Sequence, residues 1–113
     1  SLFTENLCDL FLQRLFDEGK DILTIPEYAD ELKVTANHLN RVVKQETGKP
    51  LSRWVDDCLL IRAKALLCET DWSISEIAAS LKILDSSYFA RKFKKHTTLT
   101  PVEYRKKYGM KGV

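Results

Sequence analysis

Hydrophobic residues recur at helical spacing along most of the chain. Near the start, apolar residues three and four positions apart predict a first helix, and Gly19 predicts its end; the apolar set is Leu7, Leu10, Phe11 and Leu15. No segment alternates apolar and polar residues in a way that predicts a strand. The pattern therefore predicts an all-α protein.

Polar residues mark where further helices begin. The segments "TIPE" from Thr24 and "SISE" from Ser73 are capping boxes, in which a hydroxyl and a glutamate each accept one of the first backbone N–H groups. Pro50 suits the first turn of a longer helix that runs to about Cys68, and "TPVE" from Thr100 predicts the start of the last helix. The longer helix is apolar on two sides, with Leu51, Val55, Cys58, Leu59 and Leu66 on one and Leu60 and Leu67 on the other.

The chain contains one helical unit twice. With a shift of 49 residues, the first short helix matches the second: Thr24, Ile25, Glu27, Ala29, Leu32 and Lys33 correspond to Ser73, Ile74, Glu76, Ala78, Leu81 and Lys82. One extra residue in the turn makes the shift 50, and Thr35, Leu39, Arg41, Val43 and Lys44 then correspond to Asp85, Phe89, Arg91, Phe93 and Lys94. Each copy is therefore a short capped helix, a tight turn and a second helix capped by Thr35 or Asp85.

This layout is that of a helix-turn-helix, whose second helix enters the DNA major groove, although an ordinary αα-hairpin has the same spacing. The outward faces of the second helices distinguish the two. Opposite the apolar residues lie Asn37, His38, Arg41, Lys44 and Gln45 in the first copy, and Ser87, Tyr88, Arg91, Lys94 and Lys95 in the second. Neither set contains a carboxylate, which favours a surface for a polyanion.

Charge is unevenly distributed, although the formal net charge is only +2. Residues 1–35 carry eight acids and three bases, whereas residues 86–113 carry eight bases and one acid. A basic segment of this kind suggests an anionic partner, and nucleic acid is the first candidate.

Few residues suggest other chemistry. The three cysteines form no C-x-x-C pair, and the chain has no glycine-rich phosphate loop and no recognisable nucleophile with its base. We therefore expect no catalytic residue, no metal site and no cofactor, and Cys58 is interpreted as a small buried hydrophobe. No apolar run is long enough to span a membrane, so we expect a cytoplasmic protein without membrane contact.

Five stretches resemble the DNA-binding domain of the AraC/XylS family of bacterial transcription regulators: "HLNRVVKQETGKP" (38–50), "IRAKALL" (61–67), "SISEIA" (73–78), "DSSYFARKFKK" (85–95) and "LTPVEYR" (99–105). The resemblance covers about residues 20–108. It implies seven helices in two helix-turn-helix subdomains, joined by a long linker helix, with both recognition helices entering adjacent major-groove segments.

This resemblance sets the expected organisation of the chain. An N-terminal helix and lead-in occupy residues 1–22, the first helix-turn-helix 23–49, and the linker helix 50–69. The second helix-turn-helix with the C-terminal helix occupies residues 70–108, and a tail follows at 109–113.

The resemblance also implies which residues read bases. They are Asn37, Asn40 and Arg41 in the first recognition helix, and Ser86, Ser87, Tyr88 and Arg91 in the second; Asn40 and Ser86 lie toward the flank of the outward faces. Lys44, Lys94 and Lys95 are expected to contact backbone phosphates, which supply affinity without sequence information. For Tyr88 and His38, packing against a neighbouring helix is the alternative.

Three residues depart from the family pattern. Lys82 and Thr98 stand where glycine is usual, and Ile83 stands where an aromatic residue is usual, whereas Gly48 keeps the position equivalent to Thr98. If the backbone is left-handed at such a position, a residue other than glycine costs about 1 kcal/mol.

The sequence thus predicts sequence-specific binding of double-stranded DNA by a transcription regulator, without catalysis. RNA polymerase is a further expected partner if the regulator is an activator, and a separate effector-binding or dimerisation domain is expected outside this chain. The alternative is a helical protein-interaction module that docks an acidic partner through the basic C-terminal segment.

Overall fold

Seven helices form within residues 1–109, the part of the chain that the computed structural model describes. They are α1 (Leu2–Leu15), α2 (Ile25–Glu31), α3 (Ala36–Thr47), α4 (Leu51–Glu69), α5 (Ile74–Ser80), α6 (Ser86–Thr97) and α7 (Pro101–Tyr108). No strand occurs among these residues, and the all-α, seven-helix prediction is confirmed. Residues 110–113 of the predicted tail lie outside the described residues.

Capping boxes begin α2 and α5, as predicted, and a third capping box stands at the predicted start of α7. The hydroxyls of Thr24, Ser73 and Thr100 accept the backbone N–H three residues on, at 3.3, 3.0 and 3.1 Å. The glutamates at those positions accept the N–H of the cap residue at 2.9, 3.3 and 2.8 Å. Because the bonds satisfy otherwise unpaired N–H groups within one turn, the helix starts are fixed locally.

The first helix ends earlier than predicted, and one residue of its apolar set is exposed. It begins at Leu2 and ends at Leu15, four residues before Gly19. Of the apolar set at helical spacing, Leu7, Phe11 and Leu15 are buried together with Cys8, but the side chain of Leu10 is 53% exposed. Helix α3 packs against α1, and Leu10 lies on another side of α1 than the buried residues.

The described chain divides into two compact units, and the division falls inside α4. The first unit is Ser1–Cys58, and the second begins at Leu59. The predicted linker segment 50–69 coincides closely with α4, yet α4 contributes residues to both units. Among residues 1–109, no helix is long and apolar enough to cross a membrane.

Burial along α4 matches the predicted two-sided pattern only in part. Leu51 and Cys58 are fully buried on one side and Leu67 on the other, whereas Val55, Leu59 and Leu66 are half-buried. The pattern did not indicate Ala63, which is also fully buried. Burial confirms the interpretation of Cys58, whose thiol lies 3.2 Å from the carbonyl oxygen of Leu15.

The core of the first unit joins α1, α2 and α3. Phe11 and Tyr28 are fully buried and pack edge to face, with ring centroids 5.6 Å apart. The Tyr28 hydroxyl reaches the backbone and accepts the N–H of Leu23 at 3.0 Å, so this buried polar group is satisfied. Leu39, Val42 and Val43 cover the inner side of α3.

The core of the second unit joins α5, α6 and α7. Ile77, Phe89 and Phe93 are buried, and Phe93 packs edge to face against Tyr104 with ring centroids 5.3 Å apart. Arg105 of α7 donates to the carbonyl oxygens of Leu67 and Thr70 at 3.0 and 3.4 Å. A cation at these carbonyls stabilises the C-terminal end of α4.

The turn inside each helical repeat has the same unusual backbone. Lys33 and Lys82 both have φ of 60°, and the amide after each lysine donates back to a buried alanine, Val34 to Ala29 at 3.0 Å and Ile83 to Ala78 at 2.9 Å. This is the bond pattern of a helix end with one left-handed residue, a place that favours glycine. The backbone at Lys82 is thus left-handed, the condition under which the missing glycine costs stability, and Lys33 has the same backbone.

The end of each second helix repeats as well. Gly48 and Thr98 have φ of 74° and 70°, so Thr98 has the left-handed backbone that favours glycine. Just before them, the hydroxyls of Thr47 and Thr97 donate to the carbonyl oxygens of Val43 and Phe93 at 2.7 and 2.9 Å. The geometry is equivalent, but only the first copy has a glycine at the left-handed position.

Replacing Thr98 by glycine is expected to stabilise the second unit. Thr98→Gly should raise the free energy of unfolding by about 1 kcal/mol, because glycine reaches a positive φ without steric cost. Gly48→Ala in the first unit should lower it by about 1 kcal/mol, and since nothing lies within 4 Å of the added Cβ, the change reports backbone strain alone. Chemical denaturation followed by circular dichroism measures both, and equal stability of Thr98→Gly and the wild type would contradict this interpretation.

Candidate nucleic-acid interface

The outward face of α3 carries the first group of predicted binding residues. Burial of the opposite side holds α3 in place, and the side chains of Asn37, Asn40, Arg41 and Lys44 are exposed. Thr35 begins the helix by accepting the N–H of His38 at 3.1 Å. The first unit therefore presents this whole predicted set to solvent.

Two contacts hold the basic side chains of α3. Nη2 of Arg41 lies 3.3 Å from Nδ1 of His38, and His38 is half-buried, so His38 steadies Arg41 from the inner edge of the face. Lys44 donates from Nζ to the carbonyl oxygen of Gly48 at 3.1 Å. The lysine thereby stabilises the C-terminal end of its own helix while its charge stays at the surface.

The acidic residue of α3 points elsewhere. Glu46 accepts a hydrogen bond from the hydroxyl of Thr4 on α1 at 2.7 Å. Its carboxylate is thus held on the side that faces α1, and the outward face is free of negative charge from α3 itself.

The outward face of α6 carries the second group. Phe89 and Phe93 are buried, whereas Ser87, Tyr88, Arg91, Lys94 and Lys95 are exposed and Ser86 is half-buried. Tyr88 is 49% exposed, and Nζ of Lys92 lies 5.8 Å from its ring centroid. About half of the Tyr88 side chain is thus open to solvent, which disfavours the alternative that it packs against a neighbouring helix. Helix α6 contains no acidic residue.

The nearest acid in sequence after α6 is used as a helix cap. The amide of Thr100 donates to the Glu103 carboxylate and, with the Thr100 hydroxyl, holds the pKa of Glu103 below its ordinary value, and the nearby charges of Lys94 and Lys106 add to the effect. The carboxylate is exposed and stays ionised at neutral pH, where it serves the start of α7.

Sequence reasoning did not identify one exposed residue just before α6. In the first copy Val34 is followed at once by the cap Thr35, whereas in the second copy Leu84 stands between Ile83 and the cap Asp85. The side chain of Leu84 is 101% exposed. The change of the repeat shift from 49 to 50 was the available signal, although it did not show which residue was extra or where its side chain points.

The helix after the extra residue begins with a different capping bond. Asp85 accepts the N–H of Ser87, two residues on, at 2.9 Å, whereas Thr35 accepts the N–H three residues on. The shorter reach suits an aspartate that bonds to the backbone two residues ahead. The two copies therefore differ at the helix end that precedes their binding faces.

Other reactive groups lie away from these faces. Burial raises the pKa of the Cys8 thiol, and the charges of Asp9 and Glu46 raise it further, so the thiol stays protonated and a poor nucleophile near neutral pH. Within residues 1–109, no cluster of three or more His, Cys, Asp or Glu side chains is arranged to hold a metal ion.

Comparison with known proteins adds an independent observation. A family model described as a helix-turn-helix domain matches residues 28–107, a range that contains both recognition helices. The chain is 35% identical over 101 residues to the HTH-type transcriptional regulator YtdP of Bacillus subtilis (strain 168), a match that covers 89% of this chain and 13% of YtdP.

A second relative and a solved structure are regulatory proteins as well. The chain is 40% identical over 82 residues to the transcriptional regulatory protein YesN of the same organism, covering 71% of this chain and 22% of YesN. It therefore spans less than a quarter of either relative. Its fold is similar to the C-terminal domain of AraT, a response regulator from Geobacillus stearothermophilus, with a TM-score of 0.74 and 25% identity over 99% of this chain and 90% of that chain.

The cap at Asp85 is expected to set the stability of α6. Asp85→Ala should lower the free energy of unfolding by about 1 kcal/mol, because it leaves an N–H at the helix start unpaired. Asp85→Asn should keep most of the wild-type stability, because asparagine caps a helix about equally well. Thermal unfolding followed by circular dichroism measures the difference. If the alanine variant were as stable as the asparagine variant, the cap assignment would be wrong.

Proposed function

We propose that α3 and α6 are the two recognition helices of this chain, which belongs to the AraC/XylS family of helix-turn-helix, DNA-binding transcription regulators. Each helix enters the major groove of double-stranded DNA, and the two groove segments are adjacent within one site. The observation that carries the proposal is the pair of outward faces, at equivalent places of the repeat, that are basic and free of carboxylates.

Direct base reading is proposed for exposed residues whose donors suit base edges. Arg41 and Arg91 can each bridge O6 and N7 of a guanine, and Asn37 and Asn40 can pair with N6 and N7 of an adenine. Ser86, Ser87 and Tyr88 supply hydroxyl contacts near the start of α6. Exposure supports these roles for all but Ser86, which is half-buried.

Phosphate contacts are proposed for three lysines. Lys44, Lys94 and Lys95 are exposed near the C-terminal ends of α3 and α6, where the cation also complements the helix dipole. Such contacts supply affinity that falls with salt and is the same for all sequences. Lys44 differs from the others because it also donates to the carbonyl oxygen of Gly48.

Partners beyond DNA follow from the family. If the regulator is an activator, we propose RNA polymerase as a second partner; an effector-binding or dimerisation domain, where the protein has one, would lie outside this chain. The cytoplasm is the proposed location because a transcription regulator of this bacterial family acts on chromosomal DNA.

Two other classes of function are less well supported. A helical module that docks an acidic partner would use the same basic residues, but family membership favours DNA as the polyanion. Catalysis is not proposed, since the buried Cys8 thiol has a raised pKa and the family to which the chain belongs regulates transcription.

Selection of bound duplexes from a random library tests the proposal directly. The bound sequences should share a motif in two parts whose centres lie about one helical turn, roughly 10 base pairs, apart. A helical interaction module would instead show no preference among duplexes. A motif in a single part would leave DNA binding in place and contradict the use of both recognition helices.

Loss of either arginine is expected to affect one part of the motif. Arg41→Ala or Arg91→Ala should weaken binding to the selected site by about 1 to 3 kcal/mol and relax the preference in one half only. Arg53→Ala removes the same charge at an exposed position of α4. It is the matched control and should leave the base preference unchanged. Binding titrations against single-base variants measure this, and unchanged affinity and preference in either arginine variant would contradict its role.

Loss of a phosphate contact is expected to look different. Lys94→Ala should weaken binding to all duplexes alike and reduce the slope of log affinity against log salt by about one unit, because about one fewer counterion is released. Lys20→Ala, outside both recognition helices, serves as the control for the charge alone. Titrations at several salt concentrations measure the slope, and a loss confined to one sequence would argue against a phosphate contact.

A further inference from the structure

Leu84 is the one residue by which the second helical repeat is longer than the first. The caps of the short helices, Thr24 and Ser73, are 49 residues apart, whereas the caps of the recognition helices, Thr35 and Asp85, are 50 apart. The turn bonds of Val34 and Ile83 to Ala29 and Ala78 still follow the shift of 49. The insertion is therefore located between Ile83 and Asp85, and it is a leucine.

Leu84 makes no contribution to the core of its unit. Its exposed fraction of 101% is the highest among the large hydrophobic side chains of the described residues. An exposed leucine gains nothing from folding, since hydrophobic stabilisation requires apolar surface to leave water. Folding of the second unit therefore gives no reason for an apolar side chain at this position.

The position of Leu84 suggests what could cover it. It stands directly before Asp85, the cap of α6, and Ser87 and Tyr88 near that end of the helix are exposed. The N-terminal residues of a recognition helix are the ones that contact base edges. The only apolar group that a base edge presents in the major groove is the C5 methyl of thymine, and apolar side chains read it by contact.

We propose that Leu84 packs against a thymine methyl group and adds a thymine preference to the half-site that α6 reads. This inference rests on the proposed function of α6 and goes beyond it, because it assigns a specificity residue outside the recognition helix. The first unit has no equivalent residue, since Thr35 follows Val34 directly. The preference is therefore confined to one half of the site.

Replacing thymine by uracil in the selected duplex tests this contact, because the change removes only the methyl group. Each thymine in the half read by α6 is replaced singly by dU, and affinity is measured for the wild type and for Leu84→Ala. One replacement should weaken wild-type binding about fourfold, the value expected for one buried methyl group. Leu84→Ala should bind the thymine duplex about fourfold more weakly than the wild type does. For this variant, the dU replacement should lower the affinity by less than about twofold further.

Matched controls separate this contact from general effects. Leu10→Ala removes a different exposed leucine, on α1, and should keep full sensitivity to dU. Replacement by dU in the other half of the site should affect the wild type and Leu84→Ala equally. Circular dichroism of Leu84→Ala should match the wild type, because the side chain is fully exposed.

The outcomes distinguish failure of this inference from failure of the proposed function. If the wild type prefers its selected site but no dU replacement in the α6 half weakens binding, or if the losses from dU and Leu84→Ala add fully, Leu84 does not read thymine. A selected half-site without thymine overturns the inference equally. If the wild type does not distinguish the selected site from random duplex, the proposed function is wrong and the inference falls with it.

Discussion

In each unit a short helix packs against the helix that carries the proposed binding residues, and the placement of those residues depends on that packing. A buried alanine, Ala29 in α2 or Ala78 in α5, keeps the side chain small where α2 packs against α3 and α5 against α6. The carbonyl oxygen of the same alanine accepts the hydrogen bond from the backbone amide that closes the turn. One residue thus limits both how near the helices lie and how the chain turns between them.

Acidic residues at several helix starts and basic residues in the last turns of α3 and α6 follow the polarity of the helices. Glutamates at the starts of α2, α5 and α7 accept backbone N–H groups, and Glu46 is held by Thr4. Basic residues occupy the outward faces and last turns of α3 and α6. The helix dipole favours this same arrangement, so basic residues in the last turns stabilise α3 and α6 and also contribute to their basic outward faces.

The two copies are equivalent in backbone and different in chemistry. Both turns have a left-handed lysine and both recognition helices end at a left-handed residue, but the second copy has Thr98 where the first has Gly48. The second copy also has Leu84 before its cap and begins α6 with a different capping bond. The repeat thus preserves the scaffold, while strain and side chains at the helix ends make the two halves distinct.

The sequence by itself determined the seven helices, the starts of α2 to α7 and the outward faces of α3 and α6. These features depend on contacts within three or four residues or on helical periodicity, which a single sequence records directly. The binding roles of individual residues on those faces stay predictions, because they depend on DNA as well as on the chain.

Only the tertiary structure decided which apolar side chains are covered. Leu10 and Cys8 lie on the same predicted helix, yet Cys8 is buried and Leu10 exposed, since burial depends on where α3 packs. The exposure of Leu84 and the left-handed backbone of Lys33 were likewise invisible to periodicity, because both follow from how a turn is held between two packed helices. Local signals specify helices, whereas burial and turn geometry require the neighbours that folding brings together.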